Sequence, residues 1–413
     1  MPKRKYNHDT PTTIIDLTKF ESTTLSYNDL LSSHAMKLVD TDSIVFVAVH
    51  SGAGHIKSHK QQLIKQLMSD ICNKSIKQSD IISCVTNAIK LFECSELVNA
   101  GIGSTLDCNK QQCMDACISY YNVNTNHTEW CGIGNAQHIQ SPIHVVQSML
   151  YDRLNNNQQL SGERIKPILL CGHDVVEYAR HKLGDTAIRT NTISDQLKYK
   201  WLKYTQLIKS YQNKYNSNEH YIDQSMNSTA IPQTSTVGCI AVDSAGNICC
   251  GSSSGGIWMK LPGRVGHSAI STASAYVSGN NNMINKNLVQ PCDTQIYGAC
   301  ISGCGEDLLS CNASQSICQQ LHTLNHQPSH QHKFNINTIL PYGCIYIDVN
   351  VSDTKINIKL NIDSTADQFG VAWQCNEQMV HGSTNQSYCN SIITDKIQCS
   401  NIYSGSYDVV NNG

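Results

Sequence analysis

Residues 234–267 read TSTVGCIAVDSAGNICCGSSSGGIWMKLPGRVGH, and three kinds of reactive side chain fall in that one stretch. Thr236 heads an apolar, strand-like run, Ser253 and Ser254 enter a glycine-rich turn, and a lone Arg264 stands in PGRVG. A threonine hydroxyl attacks poorly unless a base stands beside it, and one compact solution makes the threonine N-terminal so that its own α-amine is that base. An α-amine titrates at about 7.7 to 8.0, so a useful neutral fraction exists near pH 7. That chemistry requires a cut between Ser235 and Thr236. The competing explanations are structural: β-propensity for Thr236, a turn made by Ser253 and Ser254 with Gly255 and Gly256, and a structural carboxylate for Arg264.

The elements around this stretch mix strands with helices. SIVFVAVH reads as a buried strand ending on the glycine-rich HSGAGH, which lets the backbone turn sharply or approach a ligand. Two segments with helical periodicity follow. In the second, Ile82, Val85 and Ile89 share a face and Ser79 or Asp80 can cap it. LVNAGIGSTLD returns to loop chemistry, CMDACISYY reads as a strand and NVNTNHTEW as a polar insert. SPIHVVQSMLYDRL and DVVEYARHKLG then read as helices on either side of PILLCG. From about 185 to 233 the chain is rich in Lys, Tyr, Asn and Gln, a long connector with partial helix near QLKYKWLKYTQLIKSY. Strand signals resume at STVGCIAVD, GNICCGSS, IYGACISG, YGCIYIDV and KINIKLNI, with one helix, EDLLSCNASQSICQQLHTL, among them.

Composition narrows the function classes. A formal charge of -2 over 413 residues argues against a chain-wide nucleic-acid surface, which needs clustered Lys and Arg. The N-terminus lacks a signal-peptide core and no run is long enough to span a membrane, so the expectation is an intracellular, cytoplasmic protein. The PKRK at residues 2 to 5 is a candidate nuclear signal. Twenty cysteines dispersed through a long chain, many inside apolar runs, read as reduced thiols. His322, His326, His330 and His332 lie close in sequence, but without the Cys or acidic pattern of a metal site. No metal and no cofactor are expected.

The ordered set FVAVHSGAG, NAGIGSTL, MDACI, SPIHVV, LSGERI, TVGCIAVDSAGNICCGSSSGG, PGRVGH and SGCGEDLL resembles the plant-type asparaginase family of N-terminal-nucleophile hydrolases, and most of all its threonine-aspartase branch. The resemblance covers roughly residues 44 to 184 and 236 to 320. It implies an α+β fold, a four-layer αββα sandwich, made as one chain and cut into an α part (43–235, with 185–235 as a flexible linker) and a β part (236–413) behind a polar tail (1–42). The two parts would stay together as an αβ heterodimer, and such units would pair. The resemblance assigns Thr236 as nucleophile, Ser254 as the second active-site hydroxyl, and Arg264 as the holder of the substrate carboxylate. Ser302 and Gly303 fall at the oxyanion-hole positions, and Gly52 and Asn99 at supporting loop positions.

Two positions depart from the family pattern. Asparaginases carry an aspartate at the place of His267, where it pairs with the free α-amine of the substrate. Its absence favours a peptide-chain aspartate, hence an endopeptidase that cleaves protein substrates after Asp. Ser235 stands where the threonine-aspartase branch has Asp and asparaginases commonly have Gly. It is small enough to permit an acyl shift onto Thr236, but it gives Arg264 nothing to hold. The nearest rival is an L-asparaginase or isoaspartyl dipeptidase, and a rival of another class is an uncut, non-catalytic binding protein.

Overall fold

A computed structural model describes residues 43–54, 56–155, 165–190, 193–216, 235–279, 294–324, 336, 341–352, 354–376, 389–394 and 397–408. The strand β1 (Ile44–Gly54) is buried along almost its whole length. Its side chains alternate between two environments: Val47 and Val49 join one core, Phe46 and Ala48 another. A strand buried on both faces must lie inside the molecule, with a layer on each side.

The layers follow from that alternation. An eight-stranded sheet runs in the order β12-β11-β1-β5-β6-β2-β3-β4, where β2 is Met114–Asn122, β3 His127–Ala136, β4 Leu169–Cys171, β5 Val237–Asp243, β6 Ile248–Ser254, β11 Gln368–Cys375 and β12 Cys389–Thr394. One face carries helices α1 (Ser58–Ser75), α2 (Ile81–Glu93) and α3 (Pro142–Leu154), packed through Ile64, Met68, Ile82, Val85, Ile89 and Val146. The other face meets a five-stranded sheet, β13-β10-β9-β8-β7, made of β7 (Ala275–Gly279), β8 (Thr294–Ser302), β9 (Gly343–Val351), β10 (Lys355–Ser364) and β13 (Ile397–Asp408). In β10 the inward set Ile356, Ile358, Leu360 and Ile362 alternates with outward Lys355, Asn357 and Lys359, the half-buried pattern of an antiparallel sheet. The outer face of this second sheet is covered through Tyr297, Ile301, Ile317 and Cys318. The result is the expected αββα order of layers.

The local signals have identifiable causes. Asp80, not Ser79, caps α2, accepting from Ser83 N at 2.8 Å, and Ile82, Val85 and Ile89 are all fully buried. The polar insert is shorter than expected, because HTEW opens β3: Trp130 and Thr128 pair with Ser119 and Tyr121 of β2, and cross-strand pairing outweighs the segment's polarity. Beyond a short helix α6 (Ser271–Ser274), the single helix expected after SGCG is two, α7 (Gly305–Ser310) and α8 (Ala313–Leu324), separated at Asn312 with a left-handed φ of 46°. Helix α4 (Val175–Leu183) matches its expected segment, and inside the connector Asp195–Asn216 form a 22-residue helix, α5. It docks through Leu197 against Leu106 and Trp258, and Trp201 Nε1 donates to Asp107 O at 2.8 Å.

Eighteen of the described cysteines are free thiols. His322 lies in α8, edge-on to Tyr297 with ring centroids 4.4 Å apart, while His326, His330 and His332 fall outside the described residues, as do the tail and the PKRK stretch. Among the described residues no cluster of three or more His, Cys, Asp or Glu is arranged to hold a metal, and no helix is long and apolar enough to cross a membrane.

Candidate active site

Thr236 is the last residue before β5, the strand between β1 and β6 at the middle of the large sheet. The β5–β6 ladder pairs Val237 with Ser253, and continuing that register by one residue sets Ser254 opposite Thr236. A tight hairpin thus accounts for the distance in sequence between the two hydroxyls.

Thr236 is 1% exposed, yet its polar atoms are well supplied. Its Oγ1 lies 3.2 Å from His267 Nε2 and 3.4 Å from Ser268 Oγ. Its backbone N–H donates to Ser302 Oγ at 3.0 Å, and Ser302 Oγ also accepts from Ala53 N at 3.0 Å. On the other side of the peptide bond, Ser235 Oγ donates to Ala53 O at 3.0 Å. The end of β1 therefore lies against the Ser235–Thr236 peptide. Gly52 makes that approach possible: its φ is +102°, and a Cβ there would stand 2.1 Å from Ser235 Cβ and 2.8 Å from Thr236 O.

Ser254 is tied into the adjoining turn. Its Oγ accepts from Gly256 N at 3.0 Å and from Asn99 Nδ2 at 3.4 Å, so among the described residues its partners belong to the turn. Asn99 is the organiser of that turn, donating to Gly256 O at 2.8 Å while its Oδ1 accepts from Thr105 N at 3.0 Å. Lys260 adds a buried cation that donates to Gly255 O at 2.9 Å and to Cys113 O at 2.6 Å. The hydroxyl that reaches Thr236 is Ser268, which no motif marked. Gly303 follows Ser302 at the end of β8, where a side chain would meet Tyr342 Cβ at 3.1 Å and Leu308 Cδ1 at 3.4 Å.

Arg264 is held by a second carboxylate that the sequence did not single out. Its Nε donates to Glu306 Oε1 at 3.0 Å and its Nη2 to Glu306 Oε2 at 2.9 Å, a fork-to-fork pair with the arginine side chain 13% exposed and the glutamate 58%. Arg264 holds the Glu306 carboxyl below its ordinary range, although partial burial, the largest influence, works in the opposite direction. The guanidinium also packs close to α7: a Cβ on Gly305 would lie 2.5 Å from Arg264 Nη2 and 3.3 Å from His267 Nδ1. Arg264 and His267 are thereby neighbours, and His267 in turn reaches Thr236 Oγ1.

His267 is fully enclosed, and burial, then the Arg264 charge, pull its pKa down to about 3. The Ile301 carbonyl and Glu306 act in the opposite direction. The neutral imidazole is thereby favoured at physiological pH, and it faces the Thr236 hydroxyl. Asp115 of β2 fixes the approach of this loop, accepting from Gly266 N at 2.9 Å and Asn135 N at 2.8 Å. Burial raises its pKa in spite of these bonds and of Lys260. Cys304 stays at the margin, its Sγ 3.7 Å from Glu306 Oε2.

The structure thus brings Thr236, Ser235, Ser302, Gly52, His267 and Ser268 to one point, with Arg264 and Glu306 beside them, while Ser254 and Asn99 shape the adjoining turn. Such a set can activate a hydroxyl, hold a carboxylate and hold an amide bond near both.

Comparison with known proteins agrees with the layers. The family model described as Asparaginase matches residues 43–348. The isoaspartyl peptidase of Salmonella typhimurium is 26% identical over 244 residues, covering 56% of this chain and 69% of that protein. The plant-type L-asparaginase of Pyrococcus horikoshii is 26% identical over 256 residues, 57% of this chain and 71% of that one. The isoaspartyl peptidase of Escherichia coli is 24% identical over 56% of this chain and 67% of its own length. With most of the chain matched by that model, and with a threonine at the head of its central strand, this protein belongs to the asparaginase family of N-terminal-nucleophile hydrolases.

Proposed function

We propose that the protein hydrolyses amide bonds on the side-chain carboxyl of aspartate, as in L-asparagine and β-aspartyl dipeptides, after cutting itself between Ser235 and Thr236. The observation that carries this reading is the buried Thr236 hydroxyl, held by His267 and Ser268 next to the Arg264 fork. In the cut protein the freed α-amine of Thr236 accepts the hydroxyl proton as Oγ1 attacks the amide carbon, then returns it to the leaving nitrogen. Ser302 and the adjacent Gly303 would face the developing oxyanion. Arg264 would exchange Glu306 for the carboxylate of the substrate. Water then releases aspartate from the acyl-enzyme. The cut parts would remain an αβ unit, and such units would pair.

One observation favours a second reading, cleavage of proteins after aspartate. His267 is neutral and buried on Thr236 where asparaginases carry an acid, so this position offers no anion to a free α-ammonium.

Purified protein assayed in parallel on L-asparagine, β-aspartyl dipeptides and an Asp-containing peptide separates the two. Turnover of the small substrates, abolished in Thr236→Ala, is the expected result. Turnover of the peptide alone would replace the first reading with the second. An intact chain with no turnover on any substrate would leave a binding protein on this fold.

A further inference from the structure

We infer that His267 is the general base that starts the self-cleavage. The α-amine that serves a mature N-terminal nucleophile does not exist before the cut. In the uncut chain the Thr236 nitrogen is an amide, its lone pair delocalised and its N–H donated to Ser302 Oγ. Another base has to stand within hydrogen-bond reach of Oγ1. Two side chains do so among the described residues, with His267 Nε2 at 3.2 Å and Ser268 Oγ at 3.4 Å, and a serine hydroxyl is no base near neutrality. The imidazole is left.

Its surroundings suit the role. The ring bonds the Ile301 backbone, and with Nε2 on the Thr236 side we assign its proton to Nδ1. A neutral ring with its proton on Nδ1 directs the Nε2 lone pair at the threonine hydroxyl. Arg264 and Glu306, the charged groups beside the ring, act in opposite senses on an imidazolium. His50, a second buried imidazole, is itself disfavoured as a cation, first by burial and then by His267.

The step balances as follows. Oγ1 gives its proton to His267 Nε2 and forms a bond to the Ser235 carbonyl carbon. The carbon–nitrogen bond to Thr236 then breaks, and the imidazolium passes the proton to the departing nitrogen. An ester links Ser235 to Thr236 Oγ1. Water hydrolyses it to the Ser235 carboxylate and a threonine with a free hydroxyl and a free α-amine. The imidazolium formed in the first half of the step is the acid of the second.

This inference rests on the reading of Thr236 as the residue behind the cut, and the test separates the two. Freshly purified full-length wild type, His267→Gln, His267→Asn and His267→Ala are incubated, with cleavage followed by denaturing electrophoresis and N-terminal sequencing and folding by melting curves. Wild type should yield a new N-terminus at Thr236. Folded Gln and Asn variants should cut at least about 100-fold more slowly, the scale of a lost general base. Imidazole added to the Ala variant should restore part of the rate by filling the space of the ring. Cutting of any folded variant at the wild-type rate would overturn the role of His267 and leave the nucleophile standing. A wild type that never cuts would overturn both.

Discussion

At the scale of single residues, the site depends on how closely β1 approaches the peptide to be cut. Gly52 is where this is most exposed to test, because its backbone is left-handed and the space for a Cβ is already taken by Ser235. Gly52→Ala should move the Ser235–Thr236 peptide away from Ala53 and Ser302. Left-handed strain costs roughly 1 to 3 kcal/mol, so the variant should still fold, with a lower melting temperature, but remain mostly uncut on a denaturing gel. Arg264 offers a milder case. Glu306 fills its fork, and a substrate carboxylate has to displace it. Exposed pairs contribute roughly 0.2 to 1 kcal/mol, so Glu306→Gln should lower KM for a carboxylate substrate by up to about fivefold with kcat little changed. A raised KM would mean that Glu306 helps to bind substrate. The segments that carry the family resemblance mark Thr236, Arg264, Ser302 and Gly52, each beside glycine or serine. They did not lead to Ser268 or Glu306, or to the contact between His267 and Thr236. Those arise from a turn at His267–Ala269 and from the packing of α7, and neither has a local signature.

At the scale of elements, α2 reaches the site from behind. Its last residue, Glu93, is fully buried and accepts from Ser253 Oγ at 2.7 Å, Ser141 Oγ at 2.6 Å and Ile143 N at 3.2 Å, tying the helix to β6 and to the start of α3. Burial raises its pKa to about 7, and the hydrogen bonds only partly oppose this. An unfolded glutamate titrates near 4.5, so the folded chain holds the extra proton between those values. The stabilising contribution is therefore complete below about 4.5 and is lost as pH rises through about 7. Melting curves of wild type and Glu93→Gln from pH 4.5 to 8 should diverge, the wild type losing stability relative to the variant as pH rises. Parallel curves would show that Glu93 stays ionised. Strands with alternating apolar residues, such as β1, β5 and β10, were readable because two-residue periodicity is a property of the segment itself. β3 was obscured at its start, where HTEW is polar and its strand state depends on pairing with β2. Asn312 hid the break between α7 and α8 because an asparagine in a left-handed conformation leaves the same letter as any other.

At the scale of the whole molecule, the order of strands settles what a cut before Thr236 could do. In the large sheet β1, β2, β3 and β4 precede Thr236 in the chain, and β5, β6, β11 and β12 follow it. They do not segregate: β1 is paired between β11 and β5, while β6 is paired with β2. Separating the two parts would break three antiparallel ladders at the centre of the sheet and expose the cores on both of its faces. Exposed apolar surface costs about 25 cal/mol per Å², so no spontaneous exchange of halves is expected. The cut protein should elute from a size-exclusion column as one species containing both fragments in equal amounts. They should part only in denaturant, at the same concentration at which the fluorescence of Trp130 and Trp201, before the cut, and Trp258 and Trp373, after it, reports unfolding. Elution of separate fragments in native buffer would mean that the interleaved sheet does not survive the cut, and the proposed nucleophile would then lose the β1 loop that positions it.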